Sequence, residues 1–213
     1  MTTAAGRERT ERAYAERASE YVSLLGTIDQ MDPLDACLIG TWSDGVTGRV
    51  LDAGCGPGHW SDFLHLRGST VHGVDAVPQF VESARSRFPA VTFEVGDLLD
   101  LPFEDSTFGG VLAWYSLIHM EAAQWTRAFE EFARVTTDDG HLLIGAFLGP
   151  HGEAFDHAVT QAFYQGVEDL VSQAEVAGFQ AVTTHTRTSL AGRPRPHLAV
   201  AACKSPSGRV ESW

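Results

Sequence analysis

Three aspartates and three glycines stand where a small ligand could be held. In "VLDAGCGPGHW", residues 50 to 60, Asp52 directly precedes a turn carrying Gly54, Gly56 and Gly58. Glycines reach backbone angles closed to other residues, and without side chains they let the backbone lie against a ligand beside a helix N-terminus. A carboxylate at Asp52 would repel a pyrophosphate and attract a cation. Asp75 ends "TVHGVD", where an acidic side chain can accept hydrogen bonds from both hydroxyls of a ribose. Asp97, followed by Leu98, ends "VTFEVGD" and suits an adenine, its amino group on the carboxylate and its ring on apolar side chains. Taken singly, such an aspartate is as often a turn or helix-capping residue. Three at successive strand ends beside a glycine turn describe a nucleoside site.

The glycines alone do not choose the nucleotide. The dinucleotide fingerprint G-x-G-x-x-G needs its third glycine for close helix packing, and read from Gly56 that place holds Ser61. A Rossmann-type reductase is therefore the weaker reading. Beyond the turn, His119 and His157 are the candidate general bases, since imidazole titrates near the working pH; His119 could equally cap the helix that starts near Glu121. Trp114 and Tyr115 are expected to pack against cofactor or core. The stretch "LGPHGEAFDHAVTQAFYQG" holds His151, His157 and Tyr164 and reads as a lid. "AGRPRPH" brings Arg193, Arg195 and His197, which could anchor a carboxylate or phosphate of an acceptor or simply be solvated. No two histidines stand at i, i+4 on one helix, so no metal site is expected.

The elements that must position these residues alternate. Strands are predicted at Val50-Leu51, "TVHGVD", "VTFEVGD", "GGVLAWYS" and "HLLIGAF", with helices over Trp60 to Leu66, Val77 to Phe88 and Glu121 to Val135. A helix from Val167 to Ala177 precedes "FQAVTTHTR" and "HLAVAAC", two strands joined too closely to be parallel. The expected architecture is an α/β, doubly wound seven-stranded sheet, six strands parallel and the last antiparallel, with helices on both faces. Tyr14, Ala18, Tyr21, Val22 and Leu25 at helical spacing predict one amphipathic helix from about Arg7 to Leu25, followed by a second around Leu34 to Trp42. One domain over residues 7–204 is expected, with a helical cap over about 7–45 and a flexible tail at 205–213.

A net charge of -13 argues against a polyanionic or membrane-surface partner and for a small molecule. Cys37, Cys55 and Cys203 include no Cys-x-x-Cys pair, and the polar start lacks the apolar core of a secretory signal. Free thiols in a cytoplasmic protein, monomer or homodimer, are the expectation.

The segments "VLDAGCGPG", "VHGVDAVPQFVESAR" and "FEVGDLLDLPFEDSTFGGVLAWYSLIHM" resemble, in order, the motifs of class I S-adenosylmethionine-dependent methyltransferases of the small single-domain type. The resemblance spans roughly Tyr14 to Lys204. It implies that Gly54, Gly56 and Gly58 wrap the methionine part, that Asp52 lies near its ammonium, that Asp75 holds the ribose, and that Asp97 with Leu98 reads the adenine. Cys55, Ala76, Gly96, Trp114 and Tyr115 are the implied neighbouring contacts, and Tyr14 and Tyr21 match an aromatic pair that closes over the cofactor. Many relatives carry an aspartate where this chain has Gly109, a departure at the start of a strand. The implied reaction is methyl transfer to oxygen or nitrogen of a small molecule, anionic if Arg193 and Arg195 anchor it. The alternatives are a tRNA-nucleotide or protein methyltransferase, or a cofactor-binding protein without transfer activity.

Overall fold

The computed structural model describes residues 4–188 and 195–206. Short apolar runs form β1 (Arg49–Ala53), β2 (Thr70–Asp75), β3 (Thr92–Val95), β4 (Phe108–Trp114) and β5 (Thr136–Phe147). A small hairpin, β6 (Ala154–Asp156) with β7 (Gln161–Phe163), precedes β8 (Phe179–Arg187) and β9 (His197–Lys204). The main sheet has the order β3-β2-β1-β4-β5-β9-β8. Only β9 runs against its neighbours, pairing antiparallel with both β5 and β8, so the sheet is six parallel strands and one antiparallel, as expected. The order reverses between β1 and β4, which is where open α/β sheets bind ligands.

Helices cover both faces because side chains alternate across a strand. Val50, Leu112 and Leu143 point into a core with Trp42, Trp60 and Leu64, from α3 (Pro33–Asp44) and α4 (His59–Leu66). Leu51, Val111 and Leu142 point the other way, onto Trp125, Phe129 and Phe132 of α6 (Ala122–Val135) and Leu170 of α7 (Val167–Val176). Every residue of β4 is buried, as a central strand with two covered faces requires. α5 (Pro78–Arg87) packs beside β2 and β3.

Four details differ from expectation. The N-terminal segment is two helices, α1 (Ala4–Glu16) and α2 (Ala18–Leu25), broken at Arg17 with φ -107° and ψ 9°. Two turns of unbroken helix would separate Tyr14 and Tyr21 by ~10.5 Å of rise; across the break their rings lie 5.7 Å apart, edge to face, and both meet Phe80 of α5. β5 begins five residues earlier than "HLLIGAF", where Thr136 pairs with Phe108 ahead of a register shift. The lid segment carries the β6–β7 hairpin. The start of the expected tail is tied down, since the Ser205 N–H donates to the Gly178 carbonyl at 3.0 Å; residues 207–213 lie outside the described residues. Among the described residues no helix is long and apolar enough to cross a membrane.

The departure at Gly109 has a steric cause. A Cβ there would sit 1.6 Å from the Thr47 carbonyl oxygen, so the approach to β1 leaves no room for any side chain. Gly109→Ala should therefore cost about 3 kcal/mol or more, the upper range of overpacking, read as a large fall in thermal midpoint; an unchanged midpoint would show that the Thr47–Gly48 turn gives way freely.

Candidate active site

The carboxyl ends of β1, β2, β4 and β5, roofed by α1 and α2, enclose a cavity of about 490 Å³. This is within the ~300–1,000 Å³ usual for small-ligand sites. Gly54, Gly56 and Gly58 have φ of 82°, 53° and 86°, the left-handed region that favours glycine. Each left-handed position serves a different purpose. At Gly54 a Cβ would lie 2.2 Å from that of Ser116, so the loop can touch the segment after β4 only as glycine. Gly56 faces open space, and Gly58 caps α4 while abutting Ala84 and Phe93.

Asp75 lines the cavity. Its Oδ2 accepts from the Gly56 N–H at 2.9 Å and its Oδ1 from the Val77 N–H at 2.8 Å, which ties the glycine loop to the end of β2. Burial nonetheless pushes its pKa up to about 6, against those two bonds. Cys55, Ala76, Asp97 and Leu98 line the same part of the cavity, as do Tyr14 and Tyr21. Asp97 turns one oxygen to the Leu99 N–H at 2.9 Å.

Asp52 is placed otherwise than the resemblance implies. Only 1% exposed, it is not among the cavity-lining residues; its Oδ2 accepts from the Ser61 hydroxyl at 2.6 Å, between β1 and α4. Burial, opposed by that bond and reinforced by the charge of Asp75, raises its pKa to about 7. Ser61, at the missing third-glycine position, is thus the partner of this carboxyl group. Gly58 and Gly96 also lie behind the lining rather than in it, Gly96 because a Cβ there would meet Val74 at 2.9 Å.

The other half of the cavity is aromatic. Trp114, Tyr115, Phe147 and His197 form its wall, with Trp60 beneath. Tyr115 holds a left-handed φ of 56°, an uncommon state for a bulky residue, and its hydroxyl bonds to His197 Nδ1. Arg195 lines the cavity but lies over the Phe155 ring at 4.3 Å and donates to the Asp156 carbonyl. Tyr164 does not line it; its ring packs 4.3 Å from that of Phe155, behind the hairpin. Arg193 lies outside the described residues.

His119 is tied at both nitrogens. Nδ1 lies 2.8 Å from the Gln161 carbonyl, which can only accept, so Nδ1 carries the proton and Nε2 accepts from the Tyr14 hydroxyl at 2.8 Å. Burial holds the imidazole below its usual range and keeps Tyr14 well above its own, so both stay neutral. His157, 5.1 Å from the His119 ring, has a buried Nδ1 with no partner and a pKa lowered to about 4, first by burial and then by nearby positive groups. Sequence reasoning passed over His59, Ser116, Ile118, Phe147 and Arg187, which also line the cavity. Only His59, beside Gly58, carried a visible signal; the rest arrive by tertiary packing. Among the described residues no cluster of His, Cys, Asp or Glu could hold a metal ion.

The position of Asp52 sets a stability signature. Its folded pKa of about 7 exceeds the ordinary aspartate value of 3.8, so the folded state holds the proton more tightly and stability falls as pH rises from about 4 to about 7. Asp52→Asn removes the charge and keeps an acceptor for Ser61. It should raise the thermal midpoint at pH 8 by the equivalent of about 1–3 kcal/mol and leave it nearly unchanged at pH 4; equal effects at both pH values would refute the assignment.

Comparisons with known proteins agree with this geometry. A family model described as a methyltransferase domain matches residues 50–140. Demethylmenaquinone methyltransferase of Deinococcus radiodurans is 32% identical over 154 residues, covering 70% of this chain and 62% of that protein. Magnesium-protoporphyrin O-methyltransferase of Rhodobacter capsulatus is 32% identical over 148 residues, covering 61% of this chain and 65% of that one. The chain thus spans less than two thirds of the length of these relatives. Among solved structures, the 1,6-didemethyltoxoflavin-N1-methyltransferase of Burkholderia thailandensis, with bound 1,6-didemethyltoxoflavin and S-adenosylhomocysteine, shares the fold at a TM-score of 0.66 and 23% identity, covering 92% of this chain and 90% of that one. With the glycine loop, the acidic strand ends and the sheet order in place, residues 50–140 match a methyltransferase domain and the chain has the fold of S-adenosylmethionine-dependent methyltransferases.

Proposed function

We propose that the protein transfers the methyl group of S-adenosylmethionine to an oxygen or nitrogen of a small molecule. The observation that carries this reading is the contact of Gly54 with Ser116, which joins the glycine-and-aspartate half of one cavity directly to its aromatic half. The residues fit the cofactor. Asp75 is half-buried with its carboxylate available to ribose hydroxyls, Asp97 and Leu98 suit the adenine, and the Gly54–Gly56 loop offers bare backbone to the methionine part. When bound, the sulfonium supplies an already activated methyl group. What remains for the chain is orientation and the exclusion of water, effects worth up to ~7–11 kcal/mol when the reacting atoms are well aligned.

The aromatic wall of Trp114, Tyr115 and Phe147 would stack a flat acceptor, and Arg195 would meet an acidic substituent on it. We assign His157 as the proton acceptor, because its Nδ1 is idle, and His119 as the anchor that holds Tyr14 over the cofactor. The small-molecule acceptors named for the relatives and the net charge of -13 support this over a nucleic-acid substrate.

Calorimetry should show S-adenosylhomocysteine binding that weakens more than tenfold in Asp75→Ala, by loss of hydrogen bonds to a charged group; equal affinities would remove Asp75 from the ribose. Because Asp75 must be ionised to accept those bonds, affinity should fall as pH drops through about 6 and stay level above about 7. His157→Asn should lower turnover at unchanged cofactor affinity, whereas His119→Asn should weaken cofactor binding as well. Swapped outcomes would exchange the two roles.

A further inference from the structure

The sheet builds a polar pair into the aromatic wall. Phe147 of β5, His197 of β9 and Arg187 of β8 stand opposite one another in the strand register, so their side chains leave the sheet on one face, and all three line the cavity. Arg187 is already engaged, donating to Asp32 at 2.9 Å and to Asp35. His197 is only 6% exposed, and its Nδ1 shares a hydrogen bond with the Tyr115 hydroxyl. Trp114 flanks this pair, 5.7 Å from the Tyr115 ring and 5.4 Å from the His197 ring, and Phe147 lies 4.8 Å from Tyr115. Polar groups set in an apolar wall fix the orientation of what stacks there. The left-handed backbone of Tyr115 shows that this placement is enforced at a cost, as at functional sites.

The chemistry of the pair selects its ligand. A hydroxyl carries one donor and two lone pairs, so it can bond to more than His197 in either tautomer of the imidazole. Where Nδ1 accepts, the Tyr115 oxygen accepts from a ligand; where Nδ1 donates, the Tyr115 hydroxyl donates to one. A ring hydroxyl answers both states, whereas an ether oxygen answers only the second. We propose that Tyr115 and His197 set acceptor specificity by binding a ring hydroxyl of a planar aromatic acceptor, a hydroxyl that is held rather than methylated. This rests on the function proposed above, in which the reacting atom turns toward His157. The Phe147 ring lies 6.0 Å from that of His157, so an aromatic ring stacked on Phe147 reaches both His157 and the pair.

The test is equilibrium dialysis of the full chain with 2-naphthol and with naphthalene, which lacks the hydroxyl, each in the presence and absence of S-adenosylhomocysteine. The affinity ratio of 2-naphthol to naphthalene should fall about tenfold in Tyr115→Phe and again in His197→Phe, each compared with the unaltered protein. His157→Asn should leave the ratio as it was. A ratio unchanged in both Tyr115→Phe and His197→Phe overturns the pair, and so does the failure of both probes to bind. A ratio that falls only in His157→Asn also overturns it, because the hydroxyl then sits at the reacting position. Tyr115→Phe should keep its affinity for S-adenosylhomocysteine, which reports an intact fold; if that variant is misfolded, His197→Phe decides. If S-adenosylhomocysteine does not bind the unaltered protein, the function proposed above fails, and the two probes without it still decide the pair.

Discussion

Two carboxyl groups at the ends of neighbouring parallel strands, Asp52 buried and Asp75 half-buried, constrain the loop between them. Asp52 and Asp75 are pushed up to about 7 and about 6 by loss of water, against hydrogen bonds from Ser61 for Asp52 and from two backbone N–H groups for Asp75, with the charge of Asp75 adding to the rise at Asp52 and that of Glu11 to the rise at Asp75. The glycine loop must turn left-handed three times to deliver the Gly56 N–H and still let α4 start at once. The result is negative potential in a region of low dielectric, which a cationic ligand relieves and an anionic phosphate would worsen. The sheet order serves this arrangement, since the reversal between β1 and β4 leaves a crevice at the carboxyl ends of the strands beside this loop.

The cap is a separate layer attached by different forces. Tyr14, Ala18 and Tyr21 pack on Val77 and Phe80 in a small cluster of their own, distinct from the two cores of the sheet. Hydrogen bonds then run from Tyr14 to His119 and from His119 to the Gln161 carbonyl, joining the N-terminal helices, the loop after β4 and the β6–β7 hairpin; Arg17 adds a bond to the Ala158 carbonyl. Each such bond contributes about 0.5–1.5 kcal/mol net.

The aromatic half gains its shape from a strained residue. Tyr115 leaves β4 with a left-handed backbone, a conformation that costs a bulky side chain ~1–3 kcal/mol and persists only where its surroundings enforce it. Its N–H donates to the Gly145 carbonyl at 3.0 Å and its hydroxyl bonds to His197 across the antiparallel strand. That turn brings the ring to 4.8 Å from Phe147 and exposes Ser116 to Gly54. The antiparallel β9 is what carries His197 and Arg195 to this edge.

Local chemistry determined a good deal by itself. The period of apolar residues, the turn signals and the short joint between the last two strands were enough for the strands of the main sheet and their directions, because these depend on neighbours in sequence, whereas the order of the strands and the β6–β7 hairpin were not. That Asp75, Gly54 and Leu98 would come to one cavity was legible for the same reason, from their positions at strand ends. The fate of Asp52 was not: its neighbour Ser61 lies on the far side of a turn whose direction depends on three left-handed glycines. Nor was the engagement of His119, whose partners Tyr14 and Gln161 are 105 and 42 residues away. Which side chains in the site are idle and which are already bonded is decided by contacts between distant segments, and only the tertiary structure brings those segments together.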